Sequence, residues 1–177
     1  VIPVQQDIGG DIITINSFTT MNTKTGKIVK RKANIKLKKN QHLLLRGPNG
    51  IGKSTLLEHL VNSTADPRYA EARGALISKG IRVGYYRQDF STLNFNDSVY
   101  KSLTDIMLKV TGRIDEEKIR ATAANFLITS DMIGAKIGSL SEGQKGLVAF
   151  AGLVLTQPGL IILDEPTNHI NFRHLPV

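Results

Sequence analysis

The 177-residue chain contains no cysteine. That excludes a disulfide framework, a thiolate metal site and a cysteine nucleophile, and it fits a reducing compartment. Long apolar runs are also missing. The longest, Leu147 to Leu155, is half of what a membrane span needs. The opening Val1-Ile2-Pro3-Val4-Gln5-Gln6-Asp7 lacks the basic start and long apolar centre of a signal peptide, so the expected location is cytoplasmic, with no stable membrane insertion. No methionine stands at position 1, and the chain is expected to be a piece of a longer one. Acidic residues are missing between Ile12 and Leu57, a stretch that holds ten Lys/Arg.

What is present bounds the rest. A hydrophobic content of 41% supports an ordinary core and excludes global disorder, and the length suits one domain. There are 23 Lys/Arg against 15 Asp/Glu, a net charge of +8. The charge is uneven: residues 1–90 carry 15 basic and 6 acidic groups, whereas residues 91–177 carry 8 and 9. Eight of the ten cations in the acid-free stretch fall between Lys24 and Lys39. Such a run attracts a polyanion, and three readings stay open: a solvated strand face, a contact with RNA, or a contact with acidic lipid. Ile35 and Leu37 alternate with Lys36 and Lys38, as in a half-buried strand. No aromatic residue interleaves the run, which argues against a base-stacking surface.

Residues 11–18, dense in Ile and Thr, predict a strand, followed by a polar, Gly-containing turn over 21–27 and a second strand over 30–37. His42-Leu43-Leu44-Leu45-Arg46 predicts a short buried strand, and residues 54–62 a helix. Further strands are expected within 75–86, bounded by Gly74, Gly80 and Gly84. The pattern then changes. Asp97 or Ser98 can cap a helix whose Val99, Leu103, Ile106, Met107 and Val110 share a face. Asp115-Glu116-Glu117 opens an acid-first helix with Ile119, Ala123, Phe126 and Leu127 on one face. Residues 91–139 are therefore expected to form a small helical subdomain within the single domain spanning 1–177. Ser141 can cap a third helix ending before Pro158, and Leu160-Ile161-Ile162-Leu163 predicts a strand covered on both faces.

Gly47-Pro48-Asn49-Gly50-Ile51-Gly52-Lys53-Ser54 is a complete phosphate-binding loop, expected to follow the apolar strand 42–46 and to precede a helix. Its glycines let backbone N–H groups wrap phosphates, and the helix start adds the positive end of its dipole. Lys53 suits the β- and γ-phosphates and the Ser54 hydroxyl suits Mg²⁺, with Thr55 a weaker candidate. The apolar strand ending in Asp164-Glu165 supplies the complementary acids, 111 residues after Lys53. Asp164 can hold Mg²⁺ through water, and Glu165 can orient or deprotonate an attacking water.

Leu140-Ser141-Glu142-Gly143-Gln144-Lys145 resembles the LSGGQ signature of ABC ATPases, with Glu142 replacing the first glycine. Gln88, in Tyr85-Tyr86-Arg87-Gln88-Asp89-Phe90, matches the Q-loop position. The segment Asp164-Glu165-Pro166-Thr167-Asn168-His169-Ile170-Asn171 is similar to the DEPTNHLD stretch of the ABC-F subfamily, and the short Q-loop region resembles the second ABC domain of such proteins. The resemblance implies an α/β P-loop NTPase fold of the ABC ATPase type. That fold has an antiparallel β subdomain, a parallel core sheet and a small helical subdomain, here C-terminally incomplete. It implies ATP and Mg²⁺ as ligands, with Gln88 touching the metal and the attacking water. It implies a second ABC domain, in the same parent chain or in a second copy, closing head to tail, so that Ser141, Gly143 and Gln144 act on the partner's nucleotide. It further implies an ATP-driven switch on the ribosome, contacting ribosomal RNA; the alternative is the ATPase subunit of a membrane transporter.

Three departures stand out. No aromatic residue occupies the first turn, where the family stacks one under adenine, and Phe18 falls too early and reads as core. Asn171 replaces a usual Asp. The chain ends 13 residues after Asp164, before the family's switch histidine, and His169 and His174 read as loop or interface residues. The chain by itself is therefore expected to bind nucleotide weakly and hydrolyse it poorly, with an open sheet edge for a neighbour to cover.

Overall fold

In a computed structural model the described residues are 9–22, 25–64 and 74–166. The described residues divide into two compact units, 9–81 and 82–166.

The first unit is a three-stranded sheet with one helix. Strand β1 (Asp11–Met21) lies between β2 (Ile28–Lys38) and β3 (Ala75–Ile77), antiparallel to both. The expected first strand is longer by three residues, because the β1–β2 ladder runs out to the pair Met21 and Ile28. Period-two alternation places Ile13 and Ile15 on the inner face, opposite Leu37 and Ile35. The register slips between Ile15 and Ser17, so Ala33 and Asn34 together oppose Asn16 in a bulge. The β1–β2 turn is closed where the Gly26 N–H donates to the Asn22 carbonyl at 2.8 Å; Gly26 sits at φ 68°, where a side chain would be strained. Helix α1 (Lys53–Asn62) buries Leu56 and Leu60. Beyond its last turn, the buried Ser63 hydroxyl accepts the Ile77 N–H at 3.0 Å and pins the helix end to β3.

One expectation fails in this unit. Residues 42–46 form no strand, and Leu43 and Leu44 are exposed. The run pairs with no strand among the described residues, so the alternation-free apolar composition that suggested it is not matched by a ladder.

The second unit joins a two-stranded parallel sheet, β4 (Val83–Tyr86) with β5 (Leu160–Leu163), to a helical layer. The helices are α2 (Val99–Thr111), α3 (Glu116–Asn125), α4 (Ser130–Gly134) and α5 (Glu142–Leu155), with a 3₁₀ turn at Ile137–Ser139. Between the expected Asp97 and Ser98, it is Ser98 that caps α2, accepting the Lys101 N–H at 3.1 Å. The main core gathers Val99, Leu103 and Met107 from α2, Ile119 and Ala123 from α3, and Val148, Ala151 and Leu155 from α5. A second cluster beside β4 packs Tyr86 against Phe150, the rings tilted by 31° with centroids 4.8 Å apart. The expected face of α3 is shorter than the sequence pattern: the helix stops at Asn125, Phe126 is its C-cap, and Leu127 is exposed at φ 56°. Strand β5 is covered less than expected. As the partner of β4 alone it leaves Leu163 exposed.

Two glycines separate close packing from mere convenience. A Cβ on Gly84 of β4 would meet Leu153 Cδ2 at 2.9 Å and the rigid ring of Pro158 at 3.3 Å, whereas one on Gly152 of α5 would meet only the tip of Ile106 at 2.9 Å. Gly84→Ala is expected to cost roughly 1–3 kcal/mol through overpacking. Gly152→Ala is expected to be nearly neutral, because helix propensity returns about 1 kcal/mol. Urea unfolding of the two variants checks the order.

Candidate functional site

The phosphate-binding loop turns on two backbone positions. Gly50 and Gly52 adopt φ 76° and 105°, where side chains are strained, and a Cβ on Gly52 would also press on the Thr19 carbonyl oxygen at 3.3 Å. The loop is anchored where the Met21 N–H donates to the Ile51 carbonyl at 3.0 Å, tying it to the end of β1. Gly52 is the N-cap of α1 and offers no side-chain cap, so the first N–H groups of α1 face outward without a side-chain acceptor. Every other α-helix among the described residues is capped by its own side chain: Ser98, Asp115, Thr129 and Ser141. The Lys53 ammonium folds back and donates to the carbonyls of Gly47 and Pro48 at 2.9 and 3.2 Å. Ser54 and Thr55 lie exposed in the first turn, and Asn49 is exposed in the loop. Pro48 brings a carbonyl but no N–H, so the donors of this loop come from its other members.

In the other unit, Asp164 follows β5 directly. Its N–H donates to the Tyr86 carbonyl at 3.0 Å, so the parallel ladder continues one bond past Leu163 and holds Asp164 at the carboxyl end of the pair, largely buried. In open α/β sheets ligands collect at that end. Glu165 comes next at φ 48°, a left-handed conformation uncommon for a residue with a Cβ. Among the described residues no cluster of three or more His, Asp or Glu could hold a metal ion. A metal would therefore need oxygen ligands drawn from dispersed residues and from the ligand itself.

Gln88 sits exposed in the turn that leaves β4. A clamp that the sequence reading missed shapes this turn. Arg87 Nε and Nη2 donate to the two carboxylate oxygens of Asp89 at 3.1 and 3.4 Å, and the Ser91 N–H and hydroxyl donate to Asp89 Oδ1 at 3.1 and 2.8 Å. Partial burial works against ionisation of Asp89, but the Ser91 and Arg87 donors outweigh it and hold the carboxyl below its ordinary value. The Arg-x-Asp-x-Ser spacing was the available signal, since Asp side chains bond the backbone two residues on.

Ser141 and Gln144 form a reciprocal cap at the start of α5. The Gln144 N–H donates to Ser141 Oγ at 3.3 Å, and Gln144 Oε1 accepts the Ser141 N–H at 2.9 Å. Gly143 lies in the first turn with a half-buried backbone. Because Ser141 Oγ accepts from the backbone, its proton stays available to a ligand. Phe18 is half-buried on β1, opposite Arg31. His169, Asn171 and His174 lie outside the described residues. Ser141→Ala is expected to destabilise the second unit by about 1 kcal/mol. Amide exchange is expected to rise in the first turn of α5 and to stay unchanged in α2, which hydrogen-exchange mass spectrometry resolves.

A family model described as ABC transporter matches residues 31–168. The ATP-binding protein YdiF of Bacillus subtilis is 31% identical over 95% of this chain and 25% of its own length. ABC transporter F family member 4 of Arabidopsis thaliana is 34% identical over 73% of this chain and 17% of its own. Elongation factor 3B of Saccharomyces cerevisiae is 33% identical over 82% and 13%. The chain thus spans a quarter or less of the length of these relatives. Among solved structures, the dimeric MJ0796, a bacterial ABC transporter cassette, matches with a TM-score of 0.67 at 19% identity, over 92% of this chain and 77% of that one. That likeness shares the α/β architecture of antiparallel sheet, parallel sheet and helices. With the glycine loop, the acidic strand end and the capped Ser141 helix in one order along the chain, the matched residues show that the protein belongs to the ABC transporter family, as an ABC ATPase domain.

Proposed function

We propose that this domain binds and hydrolyses ATP as part of an ABC-F-type protein, and that it serves as an ATP-driven conformational switch on the ribosome, in translation or antibiotic protection. The observation that carries the nucleotide reading is the uncapped start of α1 beneath a two-glycine turn. A polyphosphate there completes N–H groups that no side chain completes and meets the positive end of the helix dipole. The ribosomal reading draws on the similarity to an F family member and to an elongation factor, on Asn168 and His169 after the acidic strand end, and on the basic balance of residues 1–90.

In this reading the backbone of Gly47, Asn49, Gly50 and Gly52 cradles the phosphates, while Pro48 keeps the loop's fixed turn. Lys53 leaves the carbonyls of Gly47 and Pro48 and moves to the β- and γ-phosphates, exchanging neutral acceptors for charged ones. The family resemblance assigns Mg²⁺ to the Ser54 hydroxyl, Asp164 and the Gln88 amide oxygen, with Thr55 beside Ser54, and these residues would hold it. This all-oxygen set, without thiolate or imidazole, suits a hard cation. When bound, Mg²⁺ offsets the charge of the β- and γ-phosphates. Gln88 positions the attacking water and Glu165 takes its proton. Ser141, Gly143 and Gln144 reach the γ-phosphate held by a second ABC domain closing head to tail, with the Ser141 hydroxyl donating while its lone pair still caps α5. ATP thereby favours a closed pair and hydrolysis releases it. Residues 91–139 form the helical subdomain that carries this contact toward the partner.

A second reading, the ATPase subunit of a membrane transporter, is favoured by the family description and by the likeness to transporter cassettes. Both readings share all of the chemistry, because function lies in the attached parts. The Glu165→Gln variant of the full-length protein separates them. It keeps the side chain's shape and removes the base, so the ATP-closed state accumulates. Pelleting with ribosomes is expected to depend on ATP and to weaken as salt rises. Absence of ribosome binding in every condition would favour a membrane partner.

A further inference from the structure

We infer that the outer strand β2 is a docking surface for the phosphate backbone of a nucleic acid. The observation is a line of cations on an edge strand. Lys30, Arg31, Lys32, Lys36 and Lys38 are all exposed on β2, whose far edge pairs with no other strand among the described residues. The neighbouring strand β1 carries a single acid, Asp11, and it pairs with Lys36 at 3.1 Å. Lys30, Arg31, Lys32 and Lys38 have no carboxylate partner among the described residues.

The pattern exceeds what the fold requires. One charged side chain on an edge strand is enough to discourage strand-to-strand aggregation. Five within one strand, with the acids removed from the surrounding sequence, make a field of one sign. The ladder register puts Lys30 and Lys32 on the face of Ile35 and Leu37 and puts Arg31, Lys36 and Lys38 on the opposite face, so the cations flank the free edge from both sides along its length. From Lys30 to Lys38 an extended strand covers about 26 Å, the rise of roughly eight base pairs along a duplex axis. Four of the five cations are lysines, point charges that meet phosphate oxygens without the planar geometry a base edge demands. No aromatic residue lies in β2 to stack on a base. The surface therefore grips the backbone and leaves the base sequence unread.

A bilayer fits this surface less well. It would require apolar side chains interleaved with the charge, but Ile35 is half-buried and Leu37 is buried on the inner side. The exposed apolar pair, Met21 and Ile28, faces itself at the hairpin end of the ladder, to one side of the cation line.

That the nucleic acid is ribosomal RNA rests on the ribosomal reading above; the surface itself does not. The test measures binding of a short RNA duplex to the full-length protein across a salt series. The variant carries Lys30→Gln, Arg31→Gln, Lys32→Gln and Lys38→Gln, and the control neutralises Lys109, Arg113, Lys118 and Lys136 in the same way. The β2 variant is expected to bind more weakly at low salt and to make the slope of log affinity against log salt shallower by about 3 to 4, so that its affinity falls on the order of a hundredfold less than that of the unsubstituted protein between low and moderate salt. The control is expected to keep the slope, and a Lys30→Arg, Lys32→Arg, Lys38→Arg variant is expected to keep the affinity, which separates lost charge from lost folding. Equal losses in variant and control, an unchanged slope in the β2 variant, or binding to phosphatidylserine vesicles in place of the duplex would overturn the proposal. Ribosome pelleting of the same proteins keeps the two claims apart. Duplex binding that depends on β2 without ribosome binding removes the ribosomal reading alone, and ribosome binding indifferent to β2 removes the surface alone.

Discussion

An α-helix begins with backbone N–H groups that nothing inside the helix can accept. In this protein that constraint is met in two opposite ways, and the functional reading depends on the difference. Four helices close their first turn with a Ser, Asp or Thr side chain. Helix α1 follows Gly52, which has no side chain to offer, and Gly52 cannot be replaced cheaply because its φ is 105° and the Thr19 carbonyl lies 3.3 Å from any Cβ. The same residue that permits the tight turn also leaves the helix start open to an anion. Lys53 adds the only cation of that first turn and donates to the carbonyls of Gly47 and Pro48.

The second unit supplies complementary features by equally local means. One ladder bond past the end of β5 keeps Asp164 at the carboxyl end of a parallel pair, and the chain turns through a left-handed conformation at the next acid, Glu165. Strain at a residue proposed to act as a base is the kind of arrangement that a neighbouring structure must hold in place. The Arg87–Asp89–Ser91 clamp around Gln88 and the Ser141–Gln144 cap are of the same sort. Short-range hydrogen bonds set the direction of a side chain whose proposed partner comes from elsewhere.

Much of the fold and the candidate site was legible in the sequence, for reasons that particular residues make plain. Ser98, Asp115 and Ser141 announce helix starts because their oxygens accept an N–H three residues on, and all three do so here. The phosphate-binding loop is legible because it demands glycine where φ is positive. Strand pairing was harder to read. Residues 42–46 look like a buried strand by composition, yet they form no ladder with any described strand and leave Leu43 and Leu44 exposed, because an apolar run becomes a strand only when it pairs, and pairing is not written in composition. Leu127 fits the helical period of α3, but the chain turns at φ 56° before that period can be used. The clamp on Gln88 was missed because an Arg-x-Asp-x-Ser run is common and gains meaning only once β4 is known to end just before it.

The account stands or falls on polyphosphate binding at the start of α1. Its most direct test is a titration of the full-length protein and its Lys53→Ala variant with ATP, alongside melting curves of both without ligand. The account predicts unchanged melting and loss of ATP binding in the variant, because the helix start alone cannot replace the charge that meets the β- and γ-phosphates. Equal ATP affinity in the two proteins would contradict it and would make this domain a non-hydrolysing scaffold that keeps the family's loop without its use.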